Sequence, residues 1–229
     1  MIGYMARLRD RWGDSLLTFL TGLLVVMLFV LAPLQALGHV LQVFELAVAL
    51  TLIACVFALS GSRTVAVAML IGIIMLVAGQ ILRLRAPSMV EMDLVVGSWL
   101  ILATTLGWVV ASVVFGDGRV THHRVMGAIL LYLTIAVLFA ALYRFIGAVA
   151  PKAFAGMSMT DSPALASELI YFSFATLTTT GYGDISPIHP VARALCNVEA
   201  ILGQLYPATL LARLVTLELA HRDQPDEPG

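Results

Sequence analysis

Thr176-Leu177-Thr178-Thr179-Thr180-Gly181-Tyr182-Gly183-Asp184 stands late in a chain that otherwise reads as one apolar helix after another. Two glycines alternate with an aromatic residue directly after a run of threonines. Glycine tolerates φ > 0, where a Cβ would clash, so Gly181 and Gly183 permit a backbone that alternates in handedness and turns successive carbonyls to one side. Several copies of such a loop around one axis would stack rings of oxygen suited to a dehydrated cation. A bare G-Y-G occurs in many turns. Here it follows the aromatic run Tyr171-Phe172-Ser173-Phe174-Ala175, precedes a long apolar segment, and lies where a re-entrant loop would have to lie. Irregular backbone at membrane depth is tolerated only where protein buries it or it lines a water-filled path, so such a loop needs a surrounding cuff.

Composition agrees with a membrane setting. Sixty per cent hydrophobic residues, 12% charged residues and a mean hydropathy of +0.97 over 229 residues exclude an ordinary soluble domain. The formal net charge of −1, without a basic run, gives no reason to expect a nucleic-acid partner. Cys55 and Cys196 both fall in apolar stretches, which argues against a disulfide framework or a metal cluster. No nucleophile-base arrangement, metal motif or phosphate loop is present, so an enzyme is not expected.

The 176–184 stretch resembles the T-V-G-Y-G-D selectivity filter of the potassium-channel superfamily, with Thr180 where Val is usual. The resemblance runs over residues 164–219, and the chain is similar to small prokaryotic channels with six membrane helices and one pore loop per subunit. It implies an all-α integral membrane fold: six transmembrane helices plus a re-entrant pore helix and filter loop, in a four-fold symmetric homotetramer surrounded by lipid. The implied function is passive, selective conduction of K⁺ across a prokaryotic plasma (inner) membrane. The ion path would be lined by the carbonyls of Thr179, Thr180, Gly181 and Tyr182 and the Thr179 hydroxyl, with Gly183 completing the ion-binding stretch. Tyr182 would point outward onto Tyr171 and Phe172. Tyr171, Phe172, Thr176, Asp184 and Glu199 would support the filter, and Gln204 would line the cavity below it. Two alternatives stand beside this reading: a weakly selective cation pore, raised by Thr180, and a non-conducting membrane scaffold or sensor with a vestigial pore.

Taken in order, residues 1–14 carry Arg7, Arg9 and Arg11 before the first apolar run, which places the N-terminus in the cytoplasm. Residues 15–115 read as a four-helix domain with spans at 15–37, 42–59, 64–82 and 94–115 and an external loop at 82–93. Glu45 reads as an interfacial acid. The fourth span contains no Lys or Arg, so the domain matches a voltage sensor in helix number and lacks its charges. Residues 116–125 form a cytoplasmic linker whose adjacent His122 and His123 point to different faces and make no shared metal site. Residues 126–220 form the pore domain. Its outer helix, 126–150, carries Tyr143 and Arg144, which read as interface anchors, with Glu168 or Asp161 as a partner for Arg144. Pro163 opens the pore helix, with Asp161 and Ser162 available as caps. Residues 221–229 are a cytoplasmic polar stub. No appended ligand-binding domain is expected there, so any regulatory subunit would be separate.

The inner helix, 191–219, departs from uniform apolarity at Glu199, Gly203, Gln204 and Pro207. By resemblance Gly203 stands at a gating hinge; the other reading is a packing glycine. Pro207 lacks a backbone donor and crowds the carbonyl four residues back, that of Gly203, so the two weak points coincide. Glu199 precedes Gln204 by five residues, which turns it roughly 140° around the helix, away from the cavity and behind the filter. There the hydroxyls of Ser173 and Thr176 are its expected partners, and the low dielectric favours a neutral carboxyl.

Overall fold

A computed structural model describes residues 18–19, 21–36, 63–85, 89–114, 122–150, 152–160, 162 and 164–222. The expected second span with Glu45 and Cys55, the N-terminal arginines, Asp161, Pro163 and the last seven residues lie outside the described residues.

The first described helix, α1, runs over residues 21–36 and contains a π-helical turn at Met27–Leu31. Pro33 accounts for that turn. It has no N–H for the Phe29 carbonyl and its ring crowds the preceding turn, so the helix widens and the Ala32 N–H reaches back to Met27. Next come α2 (Arg63–Arg85), α3 (Met89–Val114) and α4 (His122–Val149). These helices outrun the apolar segments, and residues 82–85 and 89–93 are helical where a loop was expected. Arg83, Arg85 and Glu91 are good helix formers, so the helix persists beyond its apolar stretch. Helix α2 packs along α3, and α3 along α4. Among the described residues, Val125–Val149 of α4 is the helix long and apolar enough to cross a membrane, and the other apolar helices are shorter.

A turret follows α4. Its strand β1 (Phe154–Ala155) pairs antiparallel with β2 (Ser186–Pro187), Phe154 opposite Pro187 and Ala155 opposite Ser186. Between the two strands in sequence lie the short helix α5 (Leu165–Leu177) and the filter stretch. The last helix, α6, extends from Pro190 to Arg222 without interruption through Pro207. Pro190 costs nothing as its first residue, since that N–H has no intrahelical partner anyway. The His189 imidazole Nδ1 accepts the Val191 N–H at 3.3 Å.

Two apolar clusters hold these parts together. One joins α1 to α4 through Leu28, Met69, Leu76, Leu102, Leu106 and Leu130, with Phe174 of α5 and Tyr206 of α6 packed against it. Phe29 lies 5.1 Å from Phe174, centroid to centroid, and Thr21 donates to the Met126 carbonyl at 3.2 Å, so α1 rests beside its own chain's pore unit. The second cluster contains Phe139, Tyr143, Phe154, Leu169, Phe172 and Ala192, and it wedges α5 between α4, the turret and the start of α6.

Candidate functional site

Helix α5 ends where the filter stretch begins, and local hydrogen bonds tie the two together. At its start the Leu165 N–H meets the Ser162 hydroxyl at 3.2 Å, the capping role expected of that region. At its end the Thr178 N–H reaches Phe174 O at 2.9 Å and the Thr179 N–H reaches Thr176 O at 2.9 Å. The Gly181 N–H then bonds back to Ala175 O at 3.0 Å, pinning the middle of the loop to the helix. Positive φ occurs at every second residue: +58° at Thr179, +56° at Gly181 and +84° at Gly183. Gly181 and Gly183 thus adopt the handedness their lack of a side chain permits. Thr179 does so against the preference of a β-branched residue, which the sequence did not announce. The Thr178 hydroxyl donates to Phe174 O at 2.7 Å, so in its 2.8 Å contact with the Thr180 hydroxyl the donor is Thr180.

Aromatic and turret residues surround the loop. The rings of Tyr171 and Tyr182 stack with centroids 5.9 Å apart and planes 9° from parallel. The Tyr171 hydroxyl donates to Asp184 Oδ2 at 2.8 Å, and that bond raises the phenol above its ordinary pKa. Phe172 faces elsewhere than expected. It packs edge-on to Tyr143 at 4.9 Å and Phe154 at 5.4 Å, because α5 presents residues 171 and 172 to different sides. The turret closes on the exit of the loop: Ala153 O accepts the N–H groups of Ile188 and His189. Gly156, at φ +85°, sits so close that a Cβ there would lie 1.8 Å from Asp184 O.

Behind α5, Glu199 is 0% exposed; its Oε1 meets the Ser173 hydroxyl oxygen, and its Oε2 accepts from the Tyr143 hydroxyl at 2.5 Å. The expected Ser173 contact is present. Thr176 instead donates to Phe172 O at 2.9 Å, the i−4 carbonyl that a helical threonine hydroxyl reaches without leaving its own helix. Tyr143, read from the sequence as an interface anchor, is fully buried, because the turret and α5 cover its end of α4. Below the loop, Gln204 Nε2 donates to Thr179 Oγ1 at 2.8 Å. A Cβ on Gly203 would lie 1.7 Å from Leu177 O, so this glycine lets α6 seat directly on the end of α5. The Tyr206 hydroxyl bonds Ala128 O at 2.8 Å, and its ring stacks on Tyr132, holding α6 to α4 at the same level.

Residues 127–218 match the family model described as "Ion channel". An inward rectifier potassium channel of Paramagnetospirillum magnetotacticum, Kirbac3.1, is 40% identical over 75 residues, 33% of this chain and 23% of that protein. The pore unit belongs to the potassium-channel superfamily. Protein LctB of Bacillus caldotenax is 32% identical over 87 residues, 37% of this chain and 64% of that protein. The chain therefore spans less than two thirds of either relative. No solved structure matches it.

These matches point to a membrane channel and not to an enzyme. Its motif residues do converge: Tyr171, Tyr182 and Asp184 meet at one end of the filter stretch, and Thr179, Gln204 and Gly203 at the other. Sequence reasoning missed Tyr143 and the turret glycine Gly156. A tyrosine near the end of an apolar helix looks the same whether its hydroxyl meets water or a buried acid. For Gly156 the only signal was a glycine in a loop.

Proposed function

We propose that four copies of this chain surround a pore that conducts K⁺ passively and selectively through residues 179–183, without intrinsic voltage gating. The observation that carries this reading is the alternation of φ, positive at Thr179, Gly181 and Gly183. Alternation is what allows consecutive carbonyls to face a common axis, and rings of carbonyl oxygen can replace the hydration shell of K⁺. The kinship with a protein named as a potassium channel supports the choice of ion. The Thr180 hydroxyl is engaged by Thr178, consistent with a filter in which the backbone rather than this side chain meets the ion. One filter strand per chain calls for several chains around one axis. In a single chain Val198, Ile201, Leu202 and Leu205 of α6 are exposed, and neighbouring copies would cover part of that face. Helix α3 contains no Lys or Arg, so the transmembrane field has no basic charge to move there. We place the protein in a prokaryotic plasma (inner) membrane, with both termini cytoplasmic on the strength of the N-terminal arginines.

The test is cation flux into liposomes carrying the purified full-length chain. Rb⁺ uptake driven by an outward K⁺ gradient, with Na⁺ failing to support it, is the expected result. Equal passage of Na⁺ and K⁺ would remove the selectivity assignment, and no flux at all would remove conduction.

A further inference from the structure

Three buried polar side chains of the pore unit gather behind α5, where α4, α5 and α6 meet. Tyr143, Ser173 and Glu199 are each 0% exposed. They form a row of oxygen contacts: Tyr143 Oη with Glu199 Oε2 at 2.5 Å, Glu199 Oε1 with Ser173 Oγ, and Ser173 Oγ with Ala136 O at 2.8 Å. The Cys196 thiol stands beside the Tyr143 hydroxyl at the other end.

Hydrogens can be counted along this row. The Ala136 carbonyl has none to give, so the single Ser173 hydroxyl hydrogen belongs to that contact. The Tyr143 hydrogen belongs to Oε2. The contact between Ser173 Oγ and Glu199 Oε1 then has a hydrogen only if the carboxyl supplies it. With an ionised Glu199, one of the three oxygen pairs would be in close approach with nothing between. With a neutral Glu199 all three are filled. Charge considerations point the same way. The neighbouring titratable groups are Tyr132 and Tyr143 of α4 and Cys196 of α6, and no cation acts on Glu199 among the described residues. An unpaired charge at such a site would be costly.

We propose that Glu199 is a buried proton-binding site, a neutral acid that donates to Ser173 while accepting from Tyr143. The hydrogen bonds then run in one direction, from Tyr143 through Glu199 and Ser173 to Ala136, and join the three helices of the pore unit. Ser173 lies two residues before Ala175, whose carbonyl holds the Gly181 N–H, so the row fixes the helix from which the filter stretch hangs. Glu199 and Tyr143 are in this sense positioning residues, a role that rests on the conduction reading above; the proton on Glu199 does not.

Two measurements on the full-length chain in liposomes test the two halves separately. The infrared difference spectrum between parent and Glu199→Gln, at neutral pH, is expected to show loss of the C=O stretch of a protonated carboxylic acid, shifting in D₂O. Loss of the paired carboxylate bands instead overturns the proton assignment, whether or not the chain conducts. In K⁺ flux, Glu199→Ala should lose roughly tenfold or more, because it leaves the Tyr143 hydroxyl without its buried acceptor. Glu199→Gln can donate and accept in the same directions, so it should recover flux to within about twofold of the parent. Equal losses in Gln and Ala variants of a conducting parent overturn the positioning role. If the Ala variant fails to fold, the comparison of parent with Gln decides.

Discussion

Thr179 sits at φ +58°, where a β-branched residue is held at a cost of about 1–3 kcal/mol. Its neighbours supply the restraint: the Thr179 N–H to Thr176 O, the Gln204 amide on its hydroxyl, and Gly181 fastened to Ala175 O. Removing the amide in Gln204→Leu should destabilise the pore unit by about 1 kcal/mol, a drop measurable in thermal unfolding of the detergent-solubilised protein. At Gly183 a Cβ would meet nothing within 4 Å, so any penalty there comes from φ +84° alone. Gly183→Ala is accordingly expected to abolish conduction by forcing the backbone over. Thr180→Val loses only a hydroxyl contact with Thr178 and should retain preference for K⁺ over Na⁺. Reversal potentials under bi-ionic conditions measure both; a conducting Gly183→Ala protein, or an unselective Thr180→Val protein, would contradict the backbone-lined path.

Helix α6 approaches the end of α5 closely where Gly203 lies against Leu177 O. Gly203→Ala must push the helices apart, and overpacking of this kind costs about 1–3 kcal/mol. Gly107 in α3 provides the control: its nearest neighbour to an added Cβ, Thr134 Cγ2, is 3.9 Å away, so Gly107→Ala should be neutral or stabilising by up to about 1 kcal/mol. Thermal unfolding of the pair separates a packing role of Gly203 from a general effect of replacing a helical glycine by alanine. Four residues beyond Gly203, Pro207 leaves the Gly203 carbonyl without its helical donor, yet the helix continues through it. Pro207→Ala restores that donor and should stiffen α6 with a change in open probability and no loss of stability. Unchanged gating in single-channel records would argue that the proline serves packing and not bending.

At the scale of the molecule, α1 leans on α4 and α5 through Thr21 and Phe29, and α3 presents the field with no basic residue. One charge crossing 100 mV is worth about 2.3 kcal/mol, so voltage steps should shift open probability little. Current families from reconstituted protein check this, and a steep voltage dependence amounting to several charges would show a sensor elsewhere in the chain. The apolar face of α6 makes the second molecular expectation: the solubilised protein should migrate as a tetramer, which native mass spectrometry can read.

What the sequence determined by itself was set by each residue's own covalent chemistry. Gly181 and Gly183 permit positive φ, Pro190 suits a helix start, apolar runs make helices, and a fixed turn of about 100° per residue puts Glu199 on the side of α6 opposite Gln204. These were legible because they depend on no partner distant in the chain. Partner choice was different. Glu199 meets Tyr143 across 56 positions, Ser173 meets Ala136 across 37, and the turret strand closes on the residues after the filter. Which of two hydroxyls on α5 reached Glu199, and whether Tyr143 faced water or acid, turned on how three helices are rotated about their axes against one another. Only tertiary packing sets those rotations, because each helix taken alone is equally stable at every angle.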